Sequence, residues 1–116
     1  MSETFDPEGF VQRQLEAYND RDLQRFVREY TDDVQVYQPP SAEPVLAGKA
    51  AFAAHYAAHR FQLPGLHAAV LSRMVFGNKV IDHELIRGIG DAPVEAAAVY
   101  EVTPQGISKV WFFSAD

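Results

Sequence analysis

Asp82, His83 and Glu84 form a run of side chains that can carry protons or charge, inside an otherwise apolar segment at residues 79–87. The apolar pattern predicts a strand, in which successive side chains point to opposite faces. Asp82 and Glu84 therefore share one face, and His83 lies on the other in a structural role. Two carboxylates in an apolar setting differ in pKa, and the raised one can act as a general acid or base. Both are candidate catalytic residues, Glu84 foremost, and the alternative is a pair of solvated acids at a wet sheet edge.

His55 and His59 are a second group with possible chemistry, spaced four residues apart in an alanine-rich segment. On a helix this spacing brings both rings to one face, where they could bind zinc if a third ligand came from elsewhere. No Glu follows His55 to complete a His-Glu-x-x-His motif, and the chain contains no Cys. We expect no metal site and no organic cofactor, with His55 at the mouth of a pocket.

Tyrosines could supply hydroxyl groups to a pocket that is otherwise built from Phe and Val. Tyr18, Tyr37 and Tyr100 are candidates, although buried tyrosines are more often core residues whose hydroxyl reaches the rim. Strand alternation places Tyr100 on one face with Ala98 and Val102. We therefore favour Tyr100 as a pocket residue.

The helices that must position these groups follow from hydrophobic spacing and end signals. Asp6-Pro7 is a favourable start for a first helix. Apolar residues in segment 23–30 recur at helical spacing and predict a second helix that ends at Tyr30. Segment 49–60 is rich in alanine and predicts a third.

The remaining segments predict strands. A short strand at residues 34–38 is stopped by Pro39-Pro40, and a loop continues to residue 47. Four further strands are predicted at residues 66–76, 79–87, 94–102 and 107–114, the first two joined by a Gly77-Asn78 turn. This order predicts a single α+β domain over residues 1–116, with three N-terminal helices packed on a curved, mainly antiparallel sheet.

Composition and charge limit the classes of function. The chain has 116 residues, 47% of them hydrophobic, which suits one folded domain. Ten basic and sixteen acidic side chains give a net charge of −6, which repels phosphate backbones and anionic lipid. We therefore expect neither nucleic acid nor membrane as a partner. With no Cys, signal-peptide pattern or apolar run of membrane-spanning length, the sequence predicts a cytoplasmic location.

The last predicted strand has apolar residues on both faces. Alternation places Ile107, Trp111 and Phe113 on one face, with Val110 and Phe112 on the other. Because the helices can cover only one face of the sheet, apolar residues on the second face need a partner. We expect a homodimer through the outer sheet face, formed around Ile107, Trp111 and Phe113.

Short motifs at turns and element ends are similar to those of the nuclear transport factor 2-like superfamily. They are AYNDRD (residues 17–22), YTDDV (30–34), EP (43–44), GKAAF (48–52) and GI (106–107). That superfamily includes ketosteroid isomerases, scytalone dehydratase, limonene epoxide hydrolase and polyketide cyclases of the SnoaL type. The resemblance implies a cone-shaped, cystatin-like roll around one apolar pocket. Its motifs are structural, so they indicate the fold rather than the reaction.

The same resemblance bears on ketosteroid isomerisation. Those isomerases use a carboxylate base before a proline after the first strand, with a tyrosine and a protonated aspartate as donors to the dienolate oxygen. The matching positions here hold Gln38, Gln14 and Ala98, and a neutral amide cannot act as a base near neutral pH. We therefore expect no isomerisation of Δ5-3-ketosteroids, while Tyr56 matches a pocket tyrosine of the isomerases.

These observations predict a pocket for a small hydrophobic molecule. The expected pocket residues are Tyr18, Tyr30, Gln38, Phe52, His55, Tyr56, Tyr100 and Phe112. The protein would be a cofactor-independent isomerase, hydrolase, dehydratase or cyclase. The alternative is a non-catalytic module for ligand binding or protein interaction.

Overall fold

The computed structural model describes residues 5–115 and opens with two helices, α1 (Pro7–Asn19) and α2 (Leu23–Arg28). At the start of α1 the Asp6 carboxylate accepts a hydrogen bond from the Gly9 backbone N–H at 3.1 Å. Pro7 occupies the first helical position, where a missing N–H costs nothing. The Asp6-Pro7 pair thus begins the helix as the sequence predicts.

One six-stranded sheet and a third helix complete the described chain. The elements are β1 (Tyr30–Tyr37), β2 (Leu46–Ala47), α3 (Lys49–His59), β3 (His67–Phe76), β4 (Lys79–Arg87), β5 (Val94–Thr103) and β6 (Gly106–Ser114). The strand order is β2-β1-β6-β5-β4-β3. β1 and β6 pair in parallel, and the other neighbours are antiparallel. The predicted α+β class, helices on a mainly antiparallel sheet, is confirmed.

The helices lie on one face of the sheet, which is called the covered face below. On β4, Val80, Asp82 and Glu84 are buried, while the residues between them are half-exposed. Helix α3 closes the same side over β1, where the rings of Phe52 and Tyr30 are 4.4 Å apart. The hydrophobic core fills the space between helices and sheet. Within residues 5–115 no helix is long and apolar enough to cross a membrane.

Tyr30 begins β1 instead of ending α2, which corrects the prediction from helical spacing. α2 stops at Arg28, and the next residue's carbonyl, that of Glu29, accepts a hydrogen bond from the Ile107 N–H at 2.9 Å. Tyr30 then pairs with Ile107 in the parallel ladder. A local apolar pattern continues through this point, but the sheet supplies the hydrogen bonds that another helical turn would have made.

Ile107 lies on the covered face, so its predicted place on the outer face is wrong. It is 0% exposed and belongs to the core. The pairing of β5 with β6 shifts register between Glu101 and Val102, so that Ile107 lies opposite Val102 while Lys109 lies opposite Glu101. The extra residue is a bulge, which reverses the alternation on one side of it. Side-chain parity counted along β6 therefore fails before Lys109.

Gly88 holds two loops together beside the end of β4. Its φ angle is +92°, and a Cβ at this position would overlap the backbone of Gly65 and Leu66. Only glycine fits such an approach of two backbones without strain. The contact fixes the segment after α3 against the sheet edge, next to the site described below.

Gly88→Ala should lower the free energy of unfolding by at least about 2 kcal/mol. The reason is the overlap with the Gly65 backbone together with the positive φ. Urea unfolding measures the change. Gly90→Ala is the matched control, since its Cβ would meet nothing within 4 Å, and a change within about 0.5 kcal/mol is expected. Equal losses in the two variants would contradict the proposed contact.

Candidate functional site

A cavity of about 590 Å³ opens between the helices and the covered face of the sheet. Small-molecule pockets usually have volumes of roughly 300 to 1,000 Å³. Of the residues predicted from the sequence, those lining the cavity are Tyr18, Tyr30, Gln38, His55, Tyr56, Glu84, Tyr100 and Phe112. The apolar part of the wall includes Leu15, Val36, Ala68 and Ile86.

Phe52 and Asp82 are not among the residues that line the cavity. The Phe52 ring is 1% exposed and stacks on Phe26 with a centroid distance of 5.5 Å, so it is a core residue. Asp82 is 0% exposed and lies under α1. Its carboxylate accepts two hydrogen bonds from Arg73, at 2.6 Å from Nε and 2.9 Å from Nη2. Both oxygens of Asp82 are held by one guanidinium. Asp82 therefore stabilises the fold through this ion pair, and it affects the cavity through its charge.

Glu84 lies on the cavity wall and is only 4% exposed. Burial is the main reason that its pKa rises from 4.5 to about 7, and the neighbouring Asp82 charge adds to the rise. A hydrogen bond from Tyr100 and the charge of Arg73 act in the opposite direction. Near neutral pH the carboxyl group therefore populates both forms, which is the condition for a general acid or base.

A chain of hydrogen bonds centred on Gln14 leads to Glu84. The Tyr30 hydroxyl donates to Gln14 Oε1 at 2.9 Å, and Gln14 Nε2 donates to the Val11 carbonyl at 3.0 Å. The same amide nitrogen makes a longer contact of 3.4 Å to the Tyr100 hydroxyl, which donates to Glu84 Oε2 at 3.4 Å. The resemblance pointed to this position, because Gln14 stands where the isomerases have their oxyanion tyrosine, but the hydrogen bonds of the amide could not be read from the sequence. Its role follows from the approach of α1 to β5.

The Tyr56 hydroxyl offers a donor to a ligand. Tyr56 lines the cavity, and within residues 5–115 its hydroxyl has no hydrogen-bond partner. Every fully buried side-chain oxygen or nitrogen in that part of the chain does have a partner, so this hydroxyl opens into the cavity. Burial raises the pKa of Tyr56 further above its ordinary value, which keeps the phenol protonated. It can therefore donate to an oxygen atom of a bound molecule.

The cavity mouth contains basic side chains and an amide. His55, Arg60 and Gln38 belong to its lining. The His55 and His59 rings are 5.0 Å apart, but no group of three or more potential metal ligands occurs within residues 5–115. The pKa of His55 is lowered, mainly by burial and then by the charges of Arg60 and His59. His55 is therefore neutral near pH 7, and Arg60 carries the positive charge.

The pKa of Glu84 gives a stability prediction with a definite sign. The folded protein holds this proton up to about pH 7, whereas the ordinary value is 4.5. The contribution of Glu84 to stability is therefore complete below pH 4.5 and is lost as the pH rises through 7. The free energy of unfolding of the wild type minus that of Glu84→Gln should fall by roughly 3 kcal/mol from pH 4 to pH 8.

Urea unfolding across this pH range measures the difference between wild type and Glu84→Gln. Glu43→Gln removes an exposed carboxylate and changes the net charge equally. Its difference from the wild type should stay nearly flat. A flat curve for Glu84→Gln as well would refute the raised pKa.

Comparison with solved structures supports the fold. An uncharacterised cystatin-fold protein from Novosphingobium aromaticivorans superposes with a TM-score of 0.83 at 24% identity, over 94% of this chain and 98% of that one. A SnoaL-like protein of unknown function from Burkholderia thailandensis gives 0.78 at 19% identity, over 95% and 94%. A putative ketosteroid isomerase from Kribbella flavida gives 0.79 at 18% identity, over 95% and 78%.

The sequence itself provides the family. No curated protein matches it. The model of the SnoaL-like domain, however, matches residues 11–110, which include most of the helices and strands and every residue of the Gln14 to Glu84 hydrogen-bond chain. The chain therefore belongs to the SnoaL-like domain family.

Proposed function

We propose that this protein is a cofactor-independent acid/base enzyme that acts on an apolar metabolite with a carbonyl oxygen. The observation that carries the proposal is Glu84, a cavity-wall carboxyl group with a pKa of about 7. The Tyr56 hydroxyl in the same cavity, which has no hydrogen-bond partner within residues 5–115, supports it because it supplies the donor that such chemistry needs. The family and its solved relatives suit a small-molecule pocket, and the reaction is inferred from the side chains alone.

The proposed step is a proton transfer at carbon. Ionised Glu84 removes a proton from the carbon next to the carbonyl group, and the electron pair moves onto the carbonyl oxygen. The resulting enolate oxygen accepts a hydrogen bond from Tyr56, while protonated Glu84 holds the proton. Returning that proton to another carbon completes an isomerisation. Delivering it to a leaving hydroxyl group releases water and completes a dehydration.

Exchange of α-protons in deuterated buffer tests this step. We expect the wild type to accelerate deuterium uptake by 2-tetralone, an apolar bicyclic ketone, as measured by mass spectrometry. Glu84→Gln should lower the protein-dependent rate by about 100-fold or more, since the base is lost. Tyr56→Phe should lower it by about 100-fold, since the oxyanion loses a donor. The wild-type rate should rise with pH through about 7 as Glu84 ionises.

Tyr37→Phe is the matched control for the loss of a phenol hydroxyl. Tyr37 stacks on Trp111 with a centroid distance of 5.5 Å and is not part of the cavity lining. The rate of deuterium uptake with the Tyr37→Phe variant should equal that with the wild type. Uptake that is unchanged in Glu84→Gln would rule out Glu84 as the base.

A second role, dimerisation through the outer face of the sheet, is favoured by one feature of that face. Five side chains of apolar character are neighbours across five strands, each one the register partner of the next. In order they are Tyr37, Trp111, Val99, Ile81 and Met74. We call them the outer belt. Within residues 5–115 the helices pack on the covered face instead.

The outer belt presents apolar side chains that a second copy of the chain could bury. Burying one large aromatic side chain contributes on the order of 2 kcal/mol before the entropy of association is subtracted. Phe113, also predicted for this contact, is 44% exposed and reaches the cavity rim, so Trp111 is the central residue. We propose a symmetric homodimer in which the belt meets its copy across a two-fold axis.

Trp111→Glu should convert the dimer to a monomer, because the partner would have to bury a carboxylate. Light scattering at tens of micromolar protein measures the mass. Val75→Glu is the control, since Val75 is exposed and pairs with Val80 on the covered side of the sheet. It should remain dimeric. A monomeric wild type, or a dimeric Trp111→Glu variant, would reject the outer belt as the interface.

A further inference from the structure

Arg60 lies in the cavity lining as the first residue after α3. Its side chain is half-buried, and its guanidinium donates a hydrogen bond to the His59 carbonyl at 2.9 Å. Within residues 5–115 it makes no ion pair with a carboxylate. Arg73, by contrast, is held by both oxygens of Asp82. The cavity thus contains a guanidinium that has no carboxylate partner among the described residues.

Two tyrosines connect this charge to Glu84. Burial raises the pKa of Tyr18 to about 12. The charge of Arg60 and a hydrogen bond from it lower this pKa, whereas the charge of Glu84 raises it further. Burial is also the largest cause of the raised pKa of Tyr56. The charge of Arg60 lowers that pKa, and the charge of Glu84 raises it. Both tyrosines line the cavity and their ring centroids are 6.4 Å apart. Arg60 and Glu84 therefore border the same ligand space.

A ligand that fills the cavity must also satisfy Arg60. Covering the guanidinium with an apolar group would remove its water and leave the charge unpaired, which is costly. A carboxylate accepts two parallel hydrogen bonds from a guanidinium, in the geometry that Asp82 already shows with Arg73. A phosphate dianion fits less well, because the site has one guanidinium and the chain carries a net charge of −6.

We propose that the natural ligand is an apolar molecule that ends in a carboxylate, with the carboxylate bound by Arg60 and the apolar body directed toward Glu84. This inference rests on the proposed function of the cavity, for which it names the substrate class. It also assigns Arg60 as a residue that determines specificity. Burial and then the charge of Arg60 lower the pKa of His55 beside it, which disfavours a second cation at that position.

Binding of 6-phenylhexanoate and of 6-phenylhexanamide, measured by calorimetry at pH 6, tests the proposal. The two compounds have the same shape and differ in charge, and Glu84 is mostly protonated at this pH. We expect the wild type to bind the carboxylate more tightly than the amide. Arg60→Gln should weaken binding of the carboxylate compound by about 10- to 100-fold. The affinity of the variant for the amide should stay within about threefold of the wild-type value. Retained binding of the amide also shows that the variant is folded.

Arg28→Gln is the matched control, since it removes an exposed arginine that ends helix α2 and lies outside the cavity lining. It should bind both compounds as the wild type does. Equal affinity of the wild type for the two compounds, or equal losses in Arg60→Gln, would overturn the carboxylate class and leave the cavity's binding role intact. If the wild type binds neither compound, the carboxylate class is overturned, and the deuterium exchange of 2-tetralone still decides the acid/base proposal separately.

Discussion

Asp82 and Glu84 place two carboxylates on the covered face of one strand, and among the described residues a cation pairs with Asp82 but not with Glu84. Asp82 is held by Arg73 from the neighbouring strand, while Glu84 receives a single long hydrogen bond from Tyr100. Burying an ion without a partner is expensive, so the carboxyl group keeps its proton to higher pH instead. The chemistry proposed for the cavity depends on this asymmetry.

Helix α1 supports the asymmetry because its side chains contact a hydrogen-bond partner of each carboxylate. Near Asp82, Gln12 of this helix accepts a hydrogen bond from Arg73 at 3.0 Å, which fixes the guanidinium over β4. Two residues later, Gln14 contributes an amide that can donate to Tyr100 without adding charge. One helix thus stabilises the neutralised carboxylate and leaves Glu84 in a low-polarity wall. A cation in place of Gln14 would lower the pKa of Glu84 toward its ordinary value.

Much of this arrangement could be predicted from the sequence, because it depends on local rules. Alternation along a strand puts Asp82 and Glu84 on one face whatever the rest of the fold does. The Gly77-Asn78 turn fixes the hairpin register, and counting back from it brings Arg73 opposite Asp82, as the structure shows. The hairpin register therefore could have predicted the ion pair between Arg73 and Asp82. The Asp6-Pro7 pair and the alanine-rich segment likewise indicated the starts of α1 and α3. The order of the predicted helices and strands indicated the α+β class.

Other features were decided by tertiary structure, because they depend on contacts between distant parts of the chain. Tyr30 continues a helical pattern, yet the parallel pairing with Ile107 makes it a strand residue. A bulge then turns Ile107 itself into the core, which spacing along β6 could not reveal. Gln14 and Arg60 carry no motif. Their positions in the cavity follow only from where α1 and the end of α3 meet the sheet. Strand alternation determined that Asp82 and Glu84 share a face, and packing determined that Glu84 lines the cavity while Asp82 does not.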